Sequence, residues 1–297
     1  MRVIVNLLLA AVLAYALVLL LVFVLQPRLV YFPEGARELM TTPRAAGFDY
    51  EDVTLHAADG VKLHAWWVPA HNARGAVLLA HGNAGNISHR LGYVTMFNRL
   101  GYSVLLFDYR GYGKSGGHPD EQGTYHDAEA AWLHLSAARG LQARDIVIVG
   151  ESLGGGVATW LAVQHAPRAL VLASTFTSVP ALGARLYPWL PVRLLARIQY
   201  DSLARIGQIA APILIAHSRS DDVIPFALGA MLFAAAHEPR QFLELAGGHN
   251  EGFLFAREDW IAAVGAFLER AAKKTADVRT AVPAKRLTSG DSTSGAQ

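Results

Sequence analysis

At 297 residues with 53% hydrophobic side chains, the chain can bury one substantial core, which fits a single mid-sized catalytic domain with appendages. The formal net charge is only +2, and outside the tail the basic residues are interspersed with acidic ones, so there is no electrostatic case for nucleic acid. The absence of cysteine excludes a disulfide framework, a thiolate nucleophile and a cysteine-based metal site.

Val3 to Leu25 is almost wholly aliphatic, with only Asn6 and Tyr15 carrying polar atoms. As a helix it would reach roughly 34 Å, enough for a hydrocarbon core of about 30 Å. A cleaved signal has a shorter apolar stretch and a small-x-small cleavage site, and Gln26-Pro27-Arg28 offers none. Residues 1–28 are therefore expected to form a single-pass transmembrane anchor, the chain's contact with a membrane, followed by a linker over 29–48. Tyr31 and Phe32 would suit the interfacial aromatic belt, and arginines on both flanks leave the orientation open. The preference for arginine over lysine suggests a GC-rich bacterial genome, for which the membrane would be the inner one.

From residue 49 to 272 short apolar runs alternate with helix-length amphipathic segments. Strands are expected at Asp52–His56, Lys62–Val68, Ala76–Ala80, Ser103–Phe107, Ile146–Val149, Ala169–Ala173, Pro212–Ala216 and Gln241–Leu245. The first two read as a hairpin, and from Ala76 onward the Val/Ile/Leu runs are continuous, as in a parallel sheet covered on both faces. Helices are expected at Ile87–Leu100, Glu121–Ala138, Leu153–His165, Phe226–Ala236 and Phe253–Ala272. The rhythm predicts an α/β fold, a mostly parallel eight-stranded sheet with helices on both faces. Thr175 to Ala211 is longer than an ordinary connection and is broken by Pro180, Pro188 and Pro191, which predicts a short helical lid over the site. Residues 273–297 read as a disordered tail.

Gly150-Glu151-Ser152-Leu153-Gly154 lies between an apolar strand and a helix-compatible segment, the setting that lifts a serine hydroxyl above a sheet edge. Gly113-Lys114-Ser115-Gly116-Gly117 has the same five-letter pattern, but no strand leads into it and no helix follows, so Ser152 is the candidate nucleophile. A serine needs a base that is itself oriented by a third group. Downstream, the strand at Pro212–Ala216 runs into Asp221 and Asp222, and the last strand runs into Gly247-Gly248-His249, so Asp221 is the expected acid, Asp222 its local competitor and His249 the base. The oxyanion would be held by the backbone amides of Leu153 and of Asn83, in the loop His81-Gly-Asn-Ala-Gly-Asn86. His81 is expected to brace that loop and His217 to be structural. Asp108 and Arg110 are expected to form a local charge pair, since the run around Gly113 lacks the glycine spacing of a P-loop. No histidine cluster has metal-ligand spacing on one helix face, so no metal site is expected.

These pieces together resemble the α/β-hydrolase superfamily, and within it a membrane-anchored group related to the bud-emergence-type hydrolases and the serine-aminopeptidase-like clan. The resemblance is carried by Val30-Tyr-Phe-Pro33, His81 to Asn86, Asp108 to Ser115, Gly150 to Gly154, Asp221 to Pro225 and Gly248-His-Asn250, and covers about Asp49 to Ala272. It implies a small-molecule or lipid-like acyl substrate, an ester or thioester, cleaved without a cofactor. An amidase or aminopeptidase-like activity, or a catalytically silent membrane-tethered binding protein, are the alternatives.

Overall fold

The computed structural model describes residues 1–33 and 37–281. Eight strands, β1 (Glu51–His56), β2 (Lys62–Val68), β3 (Ala76–Ala80), β4 (Ser103–Phe107), β5 (Ile146–Glu151), β6 (Ala169–Ala173), β7 (Ile213–Ser218) and β8 (Arg240–Leu245), form one sheet in the order β1-β2-β4-β3-β5-β6-β7-β8. β2 runs against both neighbours, and the pairs from β4 across to β8 are parallel. Alternate residues of one strand feed two separate cores: Leu78 and Ala80 of β3 point to one side, Val77 and Leu79 to the other. Burial on both faces is why β3 to β7 read as nearly unbroken apolar runs, whereas the edge strands β1 and β8 carry charged residues. The shared direction of the parallel strands sends the chain out of β5, β7 and β8 at the same sheet edge.

The helices are α1 (Arg2–Val30), α2 (Leu91–Arg99), α3 (Glu121–Leu133), α4 (Leu153–Gln164), α5 (Val179–Leu186), α6 (Val192–Leu195), α7 (Ser202–Ile206), α8 (Phe226–Ala235) and α9 (Glu258–Ala281). All eight expected strands are present to within two residues, and several helix ends differ for identifiable reasons. The segment expected as one helix over Ile87–Leu100 opens with a 3-10 turn at Ile87–Arg90, because the Asn86 side chain accepts from the Ser88 amide and tightens the entry. α9 begins at Glu258 rather than Phe253, since Phe253 and Phe255 stack on each other and pack edge-on against Tyr93. It then continues to Ala281, into the segment expected to be disordered. The rest of that tail, 282–297, lies outside the described residues.

The segment that leaves α1 also departs from expectation. Tyr31 is 3% exposed, not at a lipid interface; it packs edge-on against Tyr200 and their hydroxyls hydrogen-bond at 2.9 Å. Tyr200 in turn bonds Thr124 of α3. A buried aromatic ring with a satisfied hydroxyl is a core residue, so the start of the expected linker is welded to the α/β domain. The excursion Thr175–Ala211 folds into α5, α6 and α7, packed on α4, α8 and α1.

Candidate active site

Ser152 follows β5 directly and caps α4 with φ +51° and ψ −118°, a strained conformation for a residue with a side chain. The surroundings hold it there: the Ser152 amide donates to the Ala173 carbonyl, and the Thr175 hydroxyl and Gly155 amide donate to the Ser152 carbonyl. The flanking glycines are a packing requirement. A Cβ at Gly154 would overlap the Ala80 carbonyl, one at Gly155 would overlap the Thr175 side chain, and one at Gly150 would come within 2.6 Å of the Ala158 methyl.

His249 follows β8, and its Nε2 lies 3.1 Å from the Ser152 hydroxyl oxygen. Its Nδ1 lies 2.8 Å from Asp221 Oδ2 in the loop after β7. A carboxylate only accepts, so this contact places the imidazole proton on Nδ1 and leaves Nε2 to accept from the serine. Burial alone would push the Asp221 carboxyl up, but hydrogen bonds from His217, His249 and the Ile224 amide outweigh it and hold the group well below the usual carboxylate range. Asp222, the competitor in sequence, takes another position: its Oδ1 accepts the His249 backbone amide at 2.8 Å. Contacts with the His249 ring and with its backbone amide are thus divided between adjacent residues. His217 is fully buried and donates from Nε2 to the Ile224 carbonyl at 2.9 Å, while that nitrogen also lies 3.4 Å from Asp221 Oδ2.

The loop after β3 lies against the serine, for a Cβ at Gly82 would sit 3.3 Å from Ser152 Cβ. His81 donates from Nδ1 to the Gly82 carbonyl and faces Asp108 with Nε2 at 3.5 Å. Asn83 is clamped twice: its side chain donates to the Val30 carbonyl at 3.0 Å, and the Tyr112 hydroxyl donates to its own carbonyl at 3.0 Å while accepting from the Phe32 amide. Among the described residues, neither the Asn83 amide nor the Leu153 amide donates to another protein group. Two such N–H groups, one directly after Ser152 and one in the loop that lies against it, are the chemistry an oxyanion requires.

The expected Asp108–Arg110 pair does not form. The Arg110 guanidinium is filled by Asp127 and Asp59, while Asp108 accepts the Ile87 amide and faces His81 and His64. Ser115, the competing serine, is 1% exposed and bonds the Asp108 carbonyl and the His64 amide.

Sequence reasoning missed Arg90, whose guanidinium makes two bonds, 2.7 and 3.1 Å, to the Glu151 carboxylate beside Ser152. The signal was present: an acid in the crowded turn after a buried strand needs a cation. Arg90→Ala would leave that charge buried alone and is expected to lower the unfolding free energy by about 3–5 kcal/mol. Urea denaturation checks this, and a loss under about 1 kcal/mol would mean that the pair behaves as a solvated surface bridge.

A family model described as the alpha/beta hydrolase fold matches residues 75–194. The chain is 34% identical over 270 residues to the alpha/beta hydrolase domain-containing protein WAV2 of Arabidopsis thaliana, an alignment spanning 82% of this chain and 88% of that protein. It is 32% identical over 236 residues to a Saccharomyces cerevisiae protein described as an uncharacterized membrane protein, spanning 76% of this chain and 83% of the relative. Among solved structures, an esterase of Pyrococcus furiosus superposes with a TM-score of 0.66 at 22% identity, spanning 82% of this chain and 99% of the esterase.

Proposed function

The chain belongs to the α/β-hydrolase family, and from that premise we propose that it is a membrane-anchored serine hydrolase acting on carboxylic esters or thioesters. The observation that carries this reading is the unbroken relay from Ser152 Oγ through His249 to Asp221, at 3.1 and 2.8 Å.

Ser152 Oγ attacks the acyl carbon as His249 Nε2 takes its proton, and the resulting imidazolium is stabilised by Asp221. The amides of Leu153 and Asn83 hold the oxyanion. Collapse expels an alkoxide or thiolate, which receives the proton from His249 and leaves an O-acyl ester on Ser152. A water deprotonated by His249 then attacks that ester and releases the carboxylic acid and the free serine. No step calls on a metal or cofactor.

An aminopeptidase would need an acid near the lid for the substrate ammonium. The sole acid between Thr175 and Ala211 is Asp201, and its carboxylate caps α7 through the Ala204 amide. That observation favours esters and thioesters. α1, with most of its apolar side chains exposed and long enough to cross a bilayer, is read as the anchor, in line with the name of the yeast relative.

The test is turnover of a chain-length series of nitrophenyl esters and acyl thioesters by the full chain in detergent micelles. Release above the Ser152→Ala background on these substrates is expected. Release confined to aminoacyl nitroanilides would point to the peptidase, and none at all to a silent binding protein.

A further inference from the structure

One face of the C-terminal half of α1, from Tyr15 onward, rests on the domain. The Tyr15 hydroxyl donates to the Trp189 carbonyl, Leu19, Val22 and Leu25 are partly buried, and Gln26 is buried with its amide bonded to the Leu195 carbonyl and the Arg197 amide. The Arg197 guanidinium lies 4.8 Å over the Phe23 ring. The partner of this face is the segment carrying α5 and α6, the expected lid.

This contact sets a length problem. Only Arg2 to Ala14 project beyond it, and that stretch reaches about 20 Å, against a hydrocarbon core of about 30 Å. A membrane-crossing α1 must therefore draw on the part that carries the lid. Trp189 sits beside Tyr15, about 16 Å along the helix from Gln26, where the apolar run ends. The lid itself is built for that position. Leu186, Tyr187, Trp189 and Leu194 are 44%, 50%, 59% and 87% exposed. From residue 179 to 200 there is no acid, whereas Arg185, Arg193 and Arg197 are exposed. Bare apolar side chains between long cationic ones suit an anionic phospholipid leaflet, with apolar groups among the acyl chains and guanidiniums reaching up to phosphates.

We infer that the tip of the lid, Leu186 to Leu194, is embedded in the leaflet beside α1. This rests on the reading of α1 as membrane-crossing, and its readout is independent of turnover.

The full chain is reconstituted into phosphatidylcholine–phosphatidylglycerol vesicles with or without mid-chain brominated phosphatidylcholine. The emission of Trp189 is taken as the difference between wild type and Trp189→Phe, and Leu194→Trp on the Trp189→Phe background gives a second reporter should either position disturb folding. Bromolipid is expected to remove most of the reporter emission while iodide in the buffer leaves it. Emission quenched by iodide and indifferent to bromolipid overturns the inference. Alkaline carbonate washing of the same vesicles separates the two failures: protein retained with a water-exposed reporter refutes only the embedded lid, whereas protein released refutes the anchor and the lid with it.

Discussion

Ser152→Ala is expected to lower kcat for ester hydrolysis by about 10^6-fold while leaving the thermal transition nearly unchanged. Among the described residues the side chain makes one hydrogen bond, to His249, so its loss removes the proposed nucleophile without exposing a core. The strained backbone at φ +51° is held by main-chain bonds to Ala173 and Gly155 and by the Thr175 hydroxyl, all of which survive in the variant. Residual hydrolysis would come from the two amides and from binding alone. Steady-state kinetics on one ester, with a melting curve of the same sample, checks both halves; a loss of activity that tracks a loss of fold would undo the assignment.

Asp221→Asn is expected to reduce kcat by about 10^4-fold. An asparagine amide turned toward His249 Nδ1 donates instead of accepting, which moves the ring proton to Nε2, where it opposes the serine hydroxyl. Asp222→Asn keeps an oxygen able to accept the His249 amide, so it should change kcat little. The reverse ranking would move the acid by one residue. The same pair predicts a pH signature. The Asp221 carboxyl is held below its unfolded value, so its contribution to stability is complete above about pH 4 and is lost as pH falls below that, toward its folded value. Melting temperatures of wild type should fall more steeply than those of Asp221→Asn between about pH 5 and pH 2.5, and parallel slopes would show that this carboxyl does not titrate with folding.

The inner strands were legible because burial on both faces leaves an unmistakable apolar run, and Ser152, Asp221 and His249 could be proposed together because each follows an expected strand in a recognisable order. What escaped depends on distant partners. Nothing local to Tyr31 distinguishes an interfacial ring from one whose hydroxyl meets Tyr200, far along the chain. Arg110 and Asp108 are neighbours in sequence, yet the guanidinium fork is better filled by Asp59 and Asp127. The clamp on Asn83 by Val30 and Tyr112 likewise joins three segments that no periodicity connects.

A fluorophosphonate probe tests the central claim most directly, because its phosphorus takes the place of the acyl carbon and the adduct persists. Peptide mapping of the labelled full chain is predicted to find one phosphonyl group, on Ser152, and none in Ser152→Ala. A label on Ser115, or an unlabelled protein that still turns over esters, would contradict the account.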